Sequence, residues 1–177
     1  MKRLSIFIMV MAGLLAIATA AKADQLRALL TGYEETPAAV STTGRGEFVA
    51  TISPDGDRIV YRESFSGLQA PITQSHIHVG QPAVSGSVVI FLCQTASNPD
   101  PTGLAPQCPQ EGSVNGVITS ANVIAGSQAP QQLQAGDLAA VITAIRAGAA
   151  YANVHTQVSP QGEIRGQIRT TGLGPTR

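Results

Sequence analysis

Tryptophan is missing from this 177-residue chain, aromatic side chains make up 4% of it and charged ones only 12%. Lysine is found only at Lys2 and Lys22, and neither lies past residue 23. Setting residues 1–23 aside leaves eight arginines against 11 acidic residues, a net charge near −3. That balance excludes the basic patch by which proteins hold nucleic acid or an anionic membrane surface. Enzyme signatures are missing as well. There is no Gly-x-Ser-x-Gly elbow, phosphate-binding glycine loop or dinucleotide fingerprint, so no catalytic residue is assigned and a non-enzymatic role is expected.

Long apolar runs are scarce too. The one at the amino terminus, Leu4 to about Ile17, falls short of the roughly 20 residues that span a bilayer. It follows Lys2 and Arg3 and leads into Ala18-Thr19-Ala20-Ala21-Lys22-Ala23. A charged start, a short apolar middle and an Ala-x-Ala site make a secretory signal. Residues 1–23 are therefore expected to be removed on export, leaving a periplasmic or secreted chain with no membrane insertion. Residues 24–170 suit one domain with one core, and 171–177 read as a flexible tail.

Cysteine occurs twice, at Cys93 and Cys108, bracketing a stretch rich in Pro, Asn, Gly and Gln. In an exported chain this pair reads as a disulfide, which on the chain-entropy model stabilises by about 3 kcal/mol. Two free buried thiols are the alternative reading.

What the chain does have is short alternating or β-branched segments punctuated by turn residues. Strands are expected at Leu26 to Thr31, Glu47 to Ile52, Arg58 to Phe65, Thr73 to Val79, Ser87 to Leu92, Val114 to Ile118, Tyr151 to Thr156 and Glu163 to Arg169. Pro54-Asp55-Gly56-Asp57 should close a hairpin between the second and third. One helix is expected near 137–147, because Leu138, Val141, Ile142 and Ile145 fall at helical spacing between a capping Asp137 and a terminating Gly148. The fold class is all-β, an antiparallel sandwich or barrel with one short helix.

All three histidines fall in two motifs, Ser75-His76-Ile77-His78-Val79 and Asn153-Val154-His155-Thr156. Residues two apart on a strand share a face, so His76 and His78 point together, away from Ile77 and Val79. Tyr151, Asn153 and His155 likewise oppose Val154. If the two strands are neighbours, the three imidazoles converge on one outer surface patch with the composition of a copper or zinc site. The alternative is that they simply hydrogen-bond backbone and tyrosine groups. Glu163 and Arg165 follow on a returning strand and share a face. They either orient the histidines from behind, together with Tyr151 and Asn153, or form a surface ion pair, the slightly favoured reading. Glu34 and Glu35 point apart on an extended segment and read as a solvated loop.

Leu-x-Gly-x-Glu-Glu-x-Pro at Leu30 to Pro37, Gly-x-Gly-Glu-Phe at Gly44 to Phe48, His76-Ile77-His78-Val79-Gly80, Tyr151 to Thr156 and Gly162 to Ile168 together resemble the CHRD domain, named for chordin and also found alone in exported microbial proteins. The resemblance runs from about Gln25 to Ile168. It implies an extracellular β domain and little about chemistry; growth-factor binding does not carry over, because the cysteine-rich modules of chordin are missing. The Cys93–Cys108 loop looks like an insertion. The His-x-His strand also resembles the copper site of copper,zinc superoxide dismutases, but three histidines cannot fill both metal sites of such an enzyme.

Two functions follow from this reading. The first is a non-enzymatic extracytoplasmic module that binds a partner protein or surface component; the second is a copper- or zinc-binding protein that uses His76, His78 and His155.

Overall fold

The computed structural model describes residues 23–128 and 131–171. The expected export signal, apart from Ala23, and the expected tail, apart from Thr171, lie outside the described residues.

Among the described residues there are nine strands and one α-helix: β1 (Asp24–Thr31), β2 (Arg45–Ile52), β3 (Ile59–Ser66), β4 (Ile72–Val79), β5 (Ser87–Cys93), β6 (Gly112–Ile118), α1 (Leu138–Arg146), β7 (Ala150–Thr156), β8 (Ile164–Gln167) and β9 (Arg169–Thr171). The strand path is β5-β4-β7-β8-β1-β2-β3-β6, with β9 also paired to β1. All these pairs are antiparallel. β5 and β6, the two ends of the path, come into contact, so the sheet curls into a nearly closed barrel. Of the two architectures expected from sequence, the barrel is the one formed.

Period-two alternation builds its interior. Leu26, Ala28 and Leu30 of β1, Phe48, Ala50 and Ile52 of β2, and Ile59, Tyr61 and Phe65 of β3 are buried. Arg27, Leu29, Val49, Val60 and Arg62 between them face out. The hairpin turn at Gly56 adopts φ +73° and sets Ile52 opposite Ile59. Helix α1 starts where the Asp137 side chain accepts from the Ala140 amide at 2.9 Å, and Gly148 beyond its end has φ +70°. Its Leu138, Val141, Ile142 and Ile145 enter the core, each contributing roughly 1.5–3 kcal/mol if fully buried.

The expected single strand from Glu163 to Arg169 is two strands. β8 pairs with β7 through Gln167, Ile168 donates its amide to the Ala150 carbonyl, and β9 then runs along β1. The change of neighbour breaks the ladder. Thr171, expected in the tail, ends β9 opposite Gln25. The cysteines are bonded, Cys93 to Cys108, with Cα atoms 4.9 Å apart, so the free-thiol alternative does not hold. Among the described residues no helix is long and apolar enough to cross a membrane.

Candidate functional site

β4 and β7 are neighbours, and their register sets His76 opposite Asn153 and His78 opposite Tyr151. Ile77 and Val154 turn into the barrel and are fully buried. His76, His78 and His155 therefore share the outer face of the sheet, and one nitrogen from each lies within 4.8 Å of the others.

The patch is not at the surface, as the strand pattern alone suggested. His76 is 2% exposed, His78 7% and His155 6%. Loops from three distant stretches of chain roof it over: Glu35 to Pro37, Gln81 to Gly86, and the turn at Pro160 and Gln161. Gly86 permits one of these approaches, since a Cβ there would sit 1.7 Å from the Val79 carbonyl oxygen. Beneath the roof is a cavity of about 260 Å³ walled chiefly by the histidines, Glu35, Tyr151, Asn153 and Arg165.

The hydrogen bonds fix the state of each ring. His78 Nδ1 meets the Gly86 carbonyl at 3.0 Å and His155 Nδ1 meets the Pro160 carbonyl at 3.1 Å. A carbonyl oxygen only accepts, so both Nδ1 atoms carry hydrogen. Burial pushes the pKa of His78 and of His155 down to about 4, and the neutral rings hold their lone pairs on Nε2. His76 Nδ1 lies 3.2 Å from His155 Nε2 and must donate to it, leaving the His76 lone pair also on Nε2. Burial, then the two neighbouring imidazoles, keeps His76 well below the usual range and neutral. His76 Nε2 and His78 Nε2 are buried without a partner, an arrangement that costs about 1–3 kcal/mol per atom when nothing occupies the site.

One wall is a stack. The Tyr151 ring lies 4.7 Å from the His78 ring at 7°, and the Arg165 guanidinium sits 3.5 Å over the other partner, the Tyr151 ring. Arg165 is 2% exposed and donates to Thr36 Oγ1 at 2.7 Å and to the Gln81 and Val84 carbonyls at 3.3 and 3.1 Å. It pins the roof to the sheet. Asn153 Nδ2 donates to Glu35 Oε1 at 2.6 Å. Burial, the largest influence, raises the Glu35 pKa to about 7 despite the asparagine and Arg165.

Of the residues singled out in the sequence, the three histidines, Tyr151, Asn153 and Arg165 come together. Glu163 does not. It is buried outside the cavity lining, accepting from Thr42 Oγ1, the Gln69 amide and Thr156 Oγ1 at 2.7 to 2.9 Å. The surface ion pair with Arg165 does not form either: both side chains are buried and each is satisfied by other groups. Glu35, expected in a solvated loop, is buried in the cavity wall. The expected extended segment does not form: Glu34 ends the 3-10 turn Gly32–Glu34 and is exposed, and the chain leaves that turn at Glu35, which points inward.

The CHRD domain family model matches residues 26–168. The chain belongs to the CHRD domain family. Every cavity residue named above lies inside the matched span. A CHRD domain is a small binding module of extracellular type, and the Cys93–Cys108 disulfide accords with an oxidising compartment. No curated protein matches the chain by sequence.

Proposed function

We propose that this CHRD domain is an exported, non-enzymatic binding module of the periplasm or extracellular space, and that its ligand seat is the roofed cavity over β4 and β7. The observation that carries the reading is the wall of that cavity. Six polar or charged side chains, Glu35, His76, His78, Asn153, His155 and Arg165, are buried there, and two of them hold unpartnered acceptor atoms. Burying so many polar groups costs stability unless something repays the orphaned atoms. The signal-like residues 1–23, the disulfide and the family support the compartment.

Export is tested by N-terminal sequencing of protein recovered from the extracytoplasmic fraction, which should begin at Asp24; a chain that keeps residues 1–23 and stays in the cytoplasm would sink that part. Binding is tested by thermal shift against metal ions, small anions and small polar molecules, with Val88→Phe as the cavity-filling control. Val88 lines the cavity and is half-buried, so the larger ring should fill the seat and leave the fold. A ligand that raises Tm in the parent and not in Val88→Phe is the expected result.

A further inference from the structure

We infer that the cavity holds a single monovalent copper ion, Cu(I), on the Nε2 atoms of His76, His78 and His155. The inference rests on the reading of the cavity as the ligand seat and names the ligand.

Preorganisation is the first ground. Metal-bound histidines characteristically donate their other ring N–H to a carbonyl, which fixes tautomer and orientation. His78 does this to Gly86 and His155 to Pro160. Both are held with the lone pair on Nε2 before any ion arrives. His76 Nε2 and His78 Nε2 are vacant, and the third lone pair, on His155, is engaged only by the N–H of His76. An ion bound by all three takes over that lone pair, so the His76 ring gives up one hydrogen bond, and the rings draw in, because ligand nitrogens spread over as much as 4.8 Å exceed the roughly 4 Å that two bonds of about 2.0 Å can bridge.

Charge is the second ground. Imidazole suits copper and zinc alike, so the surroundings decide. The charged side chains lining the cavity are Glu35, whose carboxylate accepts from Asn153, and Arg165. The guanidinium stands one aromatic ring away from His78. Its repulsion scales with the charge of the incoming ion, and the desolvation penalty rises more steeply still. A dication is penalised on both counts, whereas Cu(I) carries one charge and is content with three imidazoles.

The test is an anaerobic titration of the purified protein with Cu(I) against bicinchoninate, and with Zn(II) against a chromophoric zinc chelator. His76→Gln, His78→Gln, Arg165→Gln and Arg165→Lys are run alongside, and the fold of each is checked by circular dichroism. One Cu(I) per chain is expected. Each histidine variant should lose at least about 100-fold in Cu(I) affinity, the upper end of what even outer partners of a metal site cost. Arg165→Gln should raise Zn(II) affinity at least about 10-fold relative to Cu(I), and Arg165→Lys, which keeps the charge, should not. Unchanged Cu(I) affinity in the histidine variants, or no stoichiometric Cu(I) binding, overturns the site; an unaltered ratio in a folded Arg165→Gln overturns the selection for a monocation. If no metal binds but another ligand stabilises the parent and not Val88→Phe, the copper inference fails while the cavity remains the seat. If nothing does, both fail.

Discussion

The Arg165 guanidinium lies 3.5 Å above the Tyr151 ring and, from that position, holds Thr36, Gln81 and Val84 of two different roof loops. Arg165→Lys keeps the charge but loses the planar fork, so the roof loops should stay in place but be held less tightly. Urea unfolding is expected to show a loss of about 2 kcal/mol. Tyr151→Phe removes only the phenol oxygen that accepts from the Gly86 amide at 3.0 Å, for about 1 kcal/mol. A loss no greater for the arginine variant than for the tyrosine variant would show that the stack does not organise the roof.

Glu63 stands on the inward face of β3, fully buried, with neither carboxylate oxygen hydrogen-bonded. The neighbouring Ser75 hydroxyl donates instead to the Asn153 carbonyl. Burial, the largest cause, raises its pKa from 4.5 to about 8. Between those values the unfolded chain has released the proton and the folded chain has kept it, so this group's contribution to stability falls as pH rises. Denaturation of the parent and of Glu63→Gln from pH 4.5 to 8 should show the parent losing ground by up to about 1.4 kcal/mol per pH unit. Parallel curves would refute a proton held inside the barrel.

Gly162 approaches the Glu35–Asn153 pair so closely that a Cβ would lie 2.6 Å from Asn153 Nδ2 and 2.7 Å from the Glu35 carboxylate oxygens, at φ +130°. Gly162→Ala should cost about 2 kcal/mol or more. It should also shift the asparagine side-chain amide resonances of Asn153 in an NMR spectrum. Wild-type stability with unshifted resonances would show that the turn has room to spare.

Removing the Cys93–Cys108 bond with Cys93→Ser and Cys108→Ser should lower stability by about 3 kcal/mol, the value for a closed loop of 15 residues. Guanidinium unfolding of oxidised parent against the double variant measures it. An unchanged midpoint would mean that the loop hydrogen bonds at Gln94, Asp100 and Ala105 suffice.

The strands, the helix and its cap were legible because period-two and 3.6-residue patterns are local. The parity of His76, Ile77 and His78 correctly put both imidazoles on one face. Their exposure was misjudged because the roof comes from residues far away in sequence, such as Thr36 and Val84, whose positions no strand pattern encodes. Glu163 was assigned to that face by counting from Arg165, but it lies before β8 begins, where strand parity does not apply. Glu63 could have been found: Ile59, Tyr61, Glu63 and Phe65 alternate with Val60, Arg62 and Ser64, so a carboxyl occupies a core position in plain view.

Where β5 and β6 come together, the Tyr61 hydroxyl reaches across the barrel to the Leu92 carbonyl at 2.5 Å, and the Ile124 amide takes the Val89 carbonyl at 2.9 Å. β5 is the last strand on its side of the path, the place where a sheet usually offers bare backbone to a second molecule. Here two of its acceptors are already occupied, and the next residue is tied down by sulfur. The seam favours a solitary barrel over barrels stacked edge to edge, which is a guard against fibrous aggregation written into a phenol and a loop amide.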